Sequence, residues 1–182
     1  MHYGPILSLR QCRKLLSDVY NRSPMPPHEL KIVLMQPQIA PNTGNIARLA
    51  VATGCQLHLV RPLGFVLEDR QLRRSAMDYW PRLKLTVHDD DEALWQAIGD
   101  QRLWLLSSKG AQTIWQARFT TGDWLIFGNE GRGLADSAWQ RHGGRAIRIP
   151  QVTGERCLNL STAAGIATYE AIRQIAGQDN RI

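Results

Sequence analysis

The chain has 182 residues, one domain's worth, and its 43% hydrophobic and 21% charged fractions sit in the ordinary range for a globular protein. No apolar run approaches the roughly 18 residues of a membrane span. Cys12, Cys55 and Cys157 lie far apart without C-x-x-C spacing, which excludes a disulfide framework or zinc knuckle and fits a reducing cytoplasm. Twenty-two basic residues against 16 acidic ones leave a net charge of +6, and 18 of the 22 are Arg. That balance points toward nucleic acid or another anionic surface, although an Arg-for-Lys bias equally reflects genome composition.

Residues 1–30 read as an N-terminal extension and a candidate for disorder, ahead of a single domain over residues 31–182. The extension holds scattered apolar residues, a short helix candidate over 8–20 and the breaker Ser23-Pro24-Met25-Pro26-Pro27. It lacks the uninterrupted apolar stretch of a secretory signal. From Lys31 the pattern alternates. Lys31–Met35 is an apolar run expected to form a buried strand, ended by Pro37 and Pro41. Asn42-Thr43-Gly44-Asn45 is expected to cap a helix running to Thr53, closed by Gly54. Strands are expected over 56–60 and 83–88, and a helix over 89–98 whose acids suit its positive end. Leu103–Leu106 and Trp124–Phe127 are further buried strands. A short helix over 134–141, a strand over 146–149 and a long helix over 158–176 complete the chain. Strand runs separated by helices argue for an α/β domain with a mainly parallel sheet flanked by helices.

Three loops follow strands and are built from residues that make poor core. The first, Pro41-Asn42-Thr43-Gly44-Asn45-Ile46-Ala47-Arg48, opens a helix where ligands of open α/β sheets sit. A plain cap explains Asn42 or Thr43 but not an Arg one turn further in. The second, Phe127-Gly128-Asn129-Glu130-Gly131-Arg132-Gly133-Leu134, places three glycines in six residues, so the backbone needs positive φ or close approach. Its G-x-x-G-x-G order, after a late strand, differs from the dinucleotide fingerprint and disfavours a nicotinamide oxidoreductase. Glu130 is either an acceptor for a ligand or a clamp on neighbouring N–H groups. The third loop, from Ile149 through Cys157, Leu158 and Asn159 to Ser161, joins a strand to the last helix. Asn159 and Ser161 suit a helix cap, or a polar rim around a cofactor.

Taken in this order, the three loops resemble the three motifs of the SPOUT superfamily of S-adenosylmethionine-dependent RNA methyltransferases, over about residues 31–176. The Leu72-Arg73-Arg74-Ser75-x-x-x-Asp78-Tyr79 segment and Ser108-Lys109-Gly110 are similar to the small tRNA wobble-position ribose 2′-O-methyltransferases within it. The resemblance implies a deep C-terminal trefoil knot, a rare feature in general, and a homodimer. It implies S-adenosylmethionine as cofactor, held by Leu106, Gly128, Ile149, Cys157 and Leu158, with Cys157 standing where relatives usually carry Ser. It implies methyl transfer to the 2′-hydroxyl of nucleotide 34, cytidine or modified uridine, in the anticodon stem-loop of a cytoplasmic tRNA, with no membrane and no metal.

The same resemblance assigns catalytic roles to Arg48, Asn42, Glu130 and Asn159 and RNA contacts to Arg73, Arg74 and Arg132. Arg is effectively always protonated, so Arg48 is expected to grip a flanking phosphate and steady charge developing on the 2′-oxygen, with a base role left open. Arg70, Arg73 and Arg74 share one helical face by spacing, and Tyr79 and Trp80 either offer rings for base stacking or are core aromatics following a solvated charged helix. The alternatives are the same reaction at another tRNA position or on ribosomal RNA, and a non-catalytic RNA-binding module of the same fold.

Overall fold

The computed structural model describes residue 8 and residues 25–67 and 77–179. Their elements are β1 (Lys31–Met35), α1 (Ala40–Thr53), β2 (Gln56–Val60), a 3-10 helix (Met77–Arg82), β3 (Leu85–His88), α2 (Asp91–Ile98), β4 (Leu103–Leu106), β5 (Gln112–Thr113), β6 (Trp124–Phe127), α3 (Asp136–His142), a 3-10 turn (Gly143–Arg145), β7 (Ala146–Arg148) and α4 (Leu160–Asp179). Seven strands form one sheet in the order β3-β2-β1-β6-β4-β7-β5. Every neighbouring pair is parallel. The expected α/β architecture with a parallel sheet flanked by helices is what the chain forms.

The central strands β1, β6 and β4 are buried on both faces, which is why they read as apolar runs. On one face Ile32 and Leu34 of β1 meet Ile46 and Ala50 of α1 and Ala167 and Ile172 of α4. On the other, Val33 and Met35 meet Leu94 and Ile98 of α2 and Ala138 of α3. The packed chain already includes His28 and Leu30: His28 Nε2 lies 2.7 Å from the Thr53 carbonyl, and Leu30 is fully buried.

Two helix ends follow local chemistry. Gly54 at φ 82° closes α1 in the left-handed region, and Asp90 accepts a 2.8 Å hydrogen bond from Ala93 N at the start of α2. The start of α1 departs from expectation. The helix begins at Ala40, with Pro41 inside its first turn, where proline's missing N–H costs nothing. Asn42 and Thr43 are therefore helical residues, and Ile39 occupies the cap position without a capping side chain. Pro41 starts the helix instead of ending β1. The two-residue β5, on the sheet edge beside β7, was not expected from the sequence; two residues carry no readable period.

Candidate active site

Because all strands run the same way, the loops after β1, β4, β6 and β7 leave the sheet at one end. There they surround a cleft of about 620 Å³. The loop after β4 is drawn against β7: Ser107 N donates to the Ile147 carbonyl at 2.9 Å, and Arg148 Nη1 donates to the carbonyls of Gly110 and Ala111, both at 2.7 Å. A β-carbon on Gly110 would stand 2.4 Å from the Ile147 carbonyl carbon, so only glycine allows this pass.

The loop after β6 is folded by Asn129. Its backbone exchanges two 2.8 Å hydrogen bonds with Gly133. Its Oδ1 accepts from Gly131 N at 2.8 Å and Arg132 N at 3.1 Å, and its Nδ2 donates to the Gln36 carbonyl at 2.7 Å. The turn folds back so tightly that a β-carbon on Gly128 would lie 2.1 Å from the Gly133 carbonyl carbon. What Gly128 permits is thus the loop's approach to itself. Asn129 was missed as a site residue in the sequence; its position between Gly128 and Gly131 was the available signal, since Asn side chains commonly satisfy turn backbones.

Glu130 is a clamp. Its Oε2 accepts from Gln38 N at 2.8 Å, and its Oε1 accepts from Ile39 N at 3.2 Å and from Asn42 Nδ2 at 3.2 Å. The carboxylate thereby satisfies N–H groups at the entry to α1 and sits at that helix's positive end. Asn42 Oδ1 in turn accepts from Asn159 Nδ2 at 2.9 Å. Asn159 Oδ1 receives Ser161 N at 2.9 Å and Ser161 Oγ at 2.7 Å, so the same residue caps α4. One residue from each of the three sequence loops meets in a single hydrogen-bonded chain on the cleft wall.

Leu106, Gly128, Ile149, Cys157 and Leu158 all line the cleft, as do Asn42, Glu130, Arg132 and Asn159. The wall mixes these apolar side chains with exposed main chain and with Ser107, Lys109 and Gln151, a lining suited to a ligand with a flat heteroaromatic end and polar substituents. Cys157 is exposed. Trp139 and Asp136 of α3 complete the wall and were not singled out in the sequence, where they read as ordinary helix.

Arg48 stands apart. Its side chain is exposed on α1, and it is absent from the cleft wall. Its guanidinium carbon lies 5.2 Å from the centre of the Tyr79 ring, a contact worth about 0.5–1 kcal/mol at an exposed site. Trp80 packs against the core beside α1, so of the two rings expected to meet RNA only Tyr79 is engaged by arginine. Arg70, Arg73 and Arg74 lie outside the described residues. Among the described residues no group of three or more His, Cys, Asp or Glu is placed to hold a metal, and no helix is long and apolar enough to cross a membrane.

Comparison with known proteins gives one consistent set of relatives. Residues 29–169 match the model of the SpoU rRNA Methylase family. A protein of Escherichia coli (strain K12) named tRNA (cytidine(34)-2'-O)-methyltransferase is 43% identical over 147 residues, covering 80% of this chain and 94% of that one. A solved structure described as giving insights into 2-OH methylation of C/U34 on tRNA superposes with a TM-score of 0.80 at 44% identity, over 84% of this chain and 99% of the other. The methyltransferase AviRb of Streptomyces viridochromogenes, solved in complex with AdoMet, superposes with a TM-score of 0.71 at 25% identity, over 85% of this chain and 63% of its own.

Proposed function

Because this chain belongs to the SpoU rRNA Methylase family, we infer that it is an S-adenosylmethionine-dependent tRNA methyltransferase whose target is the ribose 2′-hydroxyl of nucleotide 34, cytidine or modified uridine. The observation that carries this reading is the 44% identity and 0.80 TM-score, over nearly the whole of the other chain, with a structure concerned with C/U34 methylation.

Leu106, Ile149 and Leu158 offer apolar surface and main-chain groups to the cofactor's adenosyl end, with Gly128 and Cys157 beside them. S-adenosylmethionine supplies a methyl activated on a cationic sulfonium. The work left to the protein is alignment, since holding methyl and oxygen at near-attack distance accounts for much of such a rate. Glu130, Asn42 and Asn159 do this indirectly by fixing the loop after β6, the start of α1 and the start of α4 to one another. Arg48 grips a phosphate beside the target nucleotide and steadies the charge that develops as the 2′-hydroxyl loses its proton. Arg132, exposed on the cleft rim, is a second RNA contact, and Arg73 and Arg74 are further RNA contacts by their sequence motif alone.

Three further features belong to this reading. A knotted C-terminal half is supported by the non-sequential order β6-β4-β7 and by the close pass of Gly110 over Ile147. A homodimer is supported by Ile166 and Tyr169, three residues apart on α4 and 40% and 53% exposed, which leave an apolar stripe uncovered. In that dimer the anticodon stem-loop rests on the protein's own surface. A cytoplasmic site of action accords with a tRNA substrate.

The test is methylation of total tRNA by the purified protein with S-adenosylmethionine, followed by nucleoside mass spectrometry and mapping of the methylated position. The expected product is a 2′-O-methylated nucleotide at position 34. Methylation only at another tRNA position or on ribosomal RNA would overturn the substrate, and cofactor binding without turnover would leave an RNA-binding module.

A further inference from the structure

Arg48 shares the Tyr79 ring with a second arginine, Arg82. Arg82 lies at the end of the 3-10 helix Met77–Arg82. Pro81 stiffens that helix, Trp80 and Leu83 pack against the core, and Leu83 N donates to the Trp80 carbonyl at 3.2 Å. The anchored segment presents the half-buried Tyr79 ring to α1. Arg82 then places its guanidinium carbon 5.1 Å from the ring centre, and Arg48, from α1, places its own at 5.2 Å. Two exposed guanidinium groups thus share one ring, no further apart than these two distances laid end to end.

Like charges gathered on one ring repel, and neither has a carboxylate partner among the described side chains, where the ion pairs involve Arg61, Arg102, Arg141 and Arg173. What such a pair lacks is an anion. Guanidinium forks grip carboxylate and phosphate oxygens bidentately, and none of Arg48, Tyr79 and Arg82 lines the cleft assigned to the cofactor, so the carboxylate of S-adenosylmethionine is not that anion. We propose that Arg48, Tyr79 and Arg82 form a phosphate clamp for the RNA backbone, in which Tyr79 holds the two arginines at a spacing that neighbouring phosphates of one strand can bridge. This deepens the reading of the chain as a tRNA methyltransferase and rests on it for the identity of the RNA. Arg82 is a binding residue, and Tyr79 a positioning residue that acts through both arginines.

The experiment measures binding of the full-length protein to an anticodon stem-loop RNA across a series of salt concentrations, with cofactor affinity measured in parallel. Arg82→Gln is expected to reduce the slope of log K against log salt by about 1, the signature of one lost phosphate contact, with weaker binding at low salt that converges on wild type as salt rises. Tyr79→Leu is expected to reduce the slope further, because both forks lose their support, while S-adenosylmethionine affinity holds. Arg141→Gln, which removes the same charge beside Glu92, should leave the slope near wild type. An unchanged slope in Arg82→Gln, or an equal fall in Arg141→Gln, would overturn the clamp. Should Tyr79→Leu not fold, Arg82→Gln and Arg141→Gln decide the matter alone. If the slope falls as expected but wild type leaves nucleotide 34 unmethylated, the clamp stands and the substrate reading fails.

Discussion

Asn42 Oδ1 accepts a 2.9 Å hydrogen bond from Asn159 Nδ2, joining residues 117 positions apart in the chain. The other half of the Asn42 amide donates to Glu130 at 3.2 Å. Asn42 is therefore used at both ends, once as acceptor and once as donor, a double role that a carboxylate of the same shape cannot fill.

That double use makes Asn42→Asp more harmful than Asn42→Ala. The aspartate loses the donor and faces the Glu130 carboxylate, whereas alanine merely leaves its partners unpaired, at about 1–3 kcal/mol for a buried group. Urea unfolding and cofactor titration should rank the two variants in that order. The double variant Asn42→Asp/Glu130→Gln should recover part of the loss, a coupling visible in a double-mutant cycle. Strict additivity would mean that the two residues do not act as one unit.

Arg48→Ala is expected to lower single-turnover methyl transfer on the order of 10²–10³-fold, the usual consequence of removing one preorganised donor. Arg48→Lys should be nearly as poor, since a point charge does not replace a planar fork. Cofactor affinity should hold in both variants, because Arg48 is absent from the cleft wall. Loss of cofactor binding in step with rate would sink the assignment.

Cys157→Ser should be tolerated. The thiol is exposed on the cleft rim, and a hydroxyl of similar size restores a stronger hydrogen-bonding group there. Isothermal titration should show a change in S-adenosylmethionine affinity of less than about tenfold, roughly 1.4 kcal/mol.

Acid should destabilise the fold through His58. Its ring is buried, its Nδ1 lies 2.9 Å from Nε2 of His88, and burial first, then His88 and Lys31, hold its pKa down at about 4. Between that value and the ordinary histidine value of 6.5 the unfolded chain binds the proton and the folded chain does not. Stability from this group is therefore complete above the unfolded value and is lost progressively as pH falls through the window. The urea midpoint should drop between neutral pH and pH near 4, and His58→Gln should flatten that slope. A wild-type slope unchanged by the substitution would remove His58 as its source.

A chain starting at Met25 should fold, dimerise and bind cofactor, since it keeps the His28 contact to Thr53 and the buried Leu30. Light scattering and cofactor titration of the shortened protein beside the full chain check this; a soluble dimer formed by the full chain and lost in the shortened one would overturn it.

Much of this protein was legible residue by residue. Continuous apolar strands such as Leu103–Leu106 and Trp124–Phe127 announced a sheet covered on both faces, because a strand buried twice has no polar side to show. Gly54 and Asp90 marked helix ends because their chemistry acts on backbone only a few residues away. Gly128, which passes too close to Gly133 for a β-carbon, Gly133 at φ 77° and the polar residues of the three loops marked the cleft for the same local reason, whereas Gly131 shows neither positive φ nor close approach. Where α1 begins was not legible. The sequence offers Asn42 and Thr43 as caps, but the N–H groups at the helix entry are satisfied by Glu130, roughly ninety residues downstream in sequence, and this frees Asn42 to reach Asn159. Nothing local in the chain encodes that exchange. It exists because parallel pairing of β1 with β6 brings two strand ends side by side, and only the assembled sheet decides which distant carboxylate meets which helix. Likewise the pairing of Arg48 and Arg82 on one Tyr79 ring depends on how the 3-10 helix packs on α1, a contact that spacing along the chain does not specify.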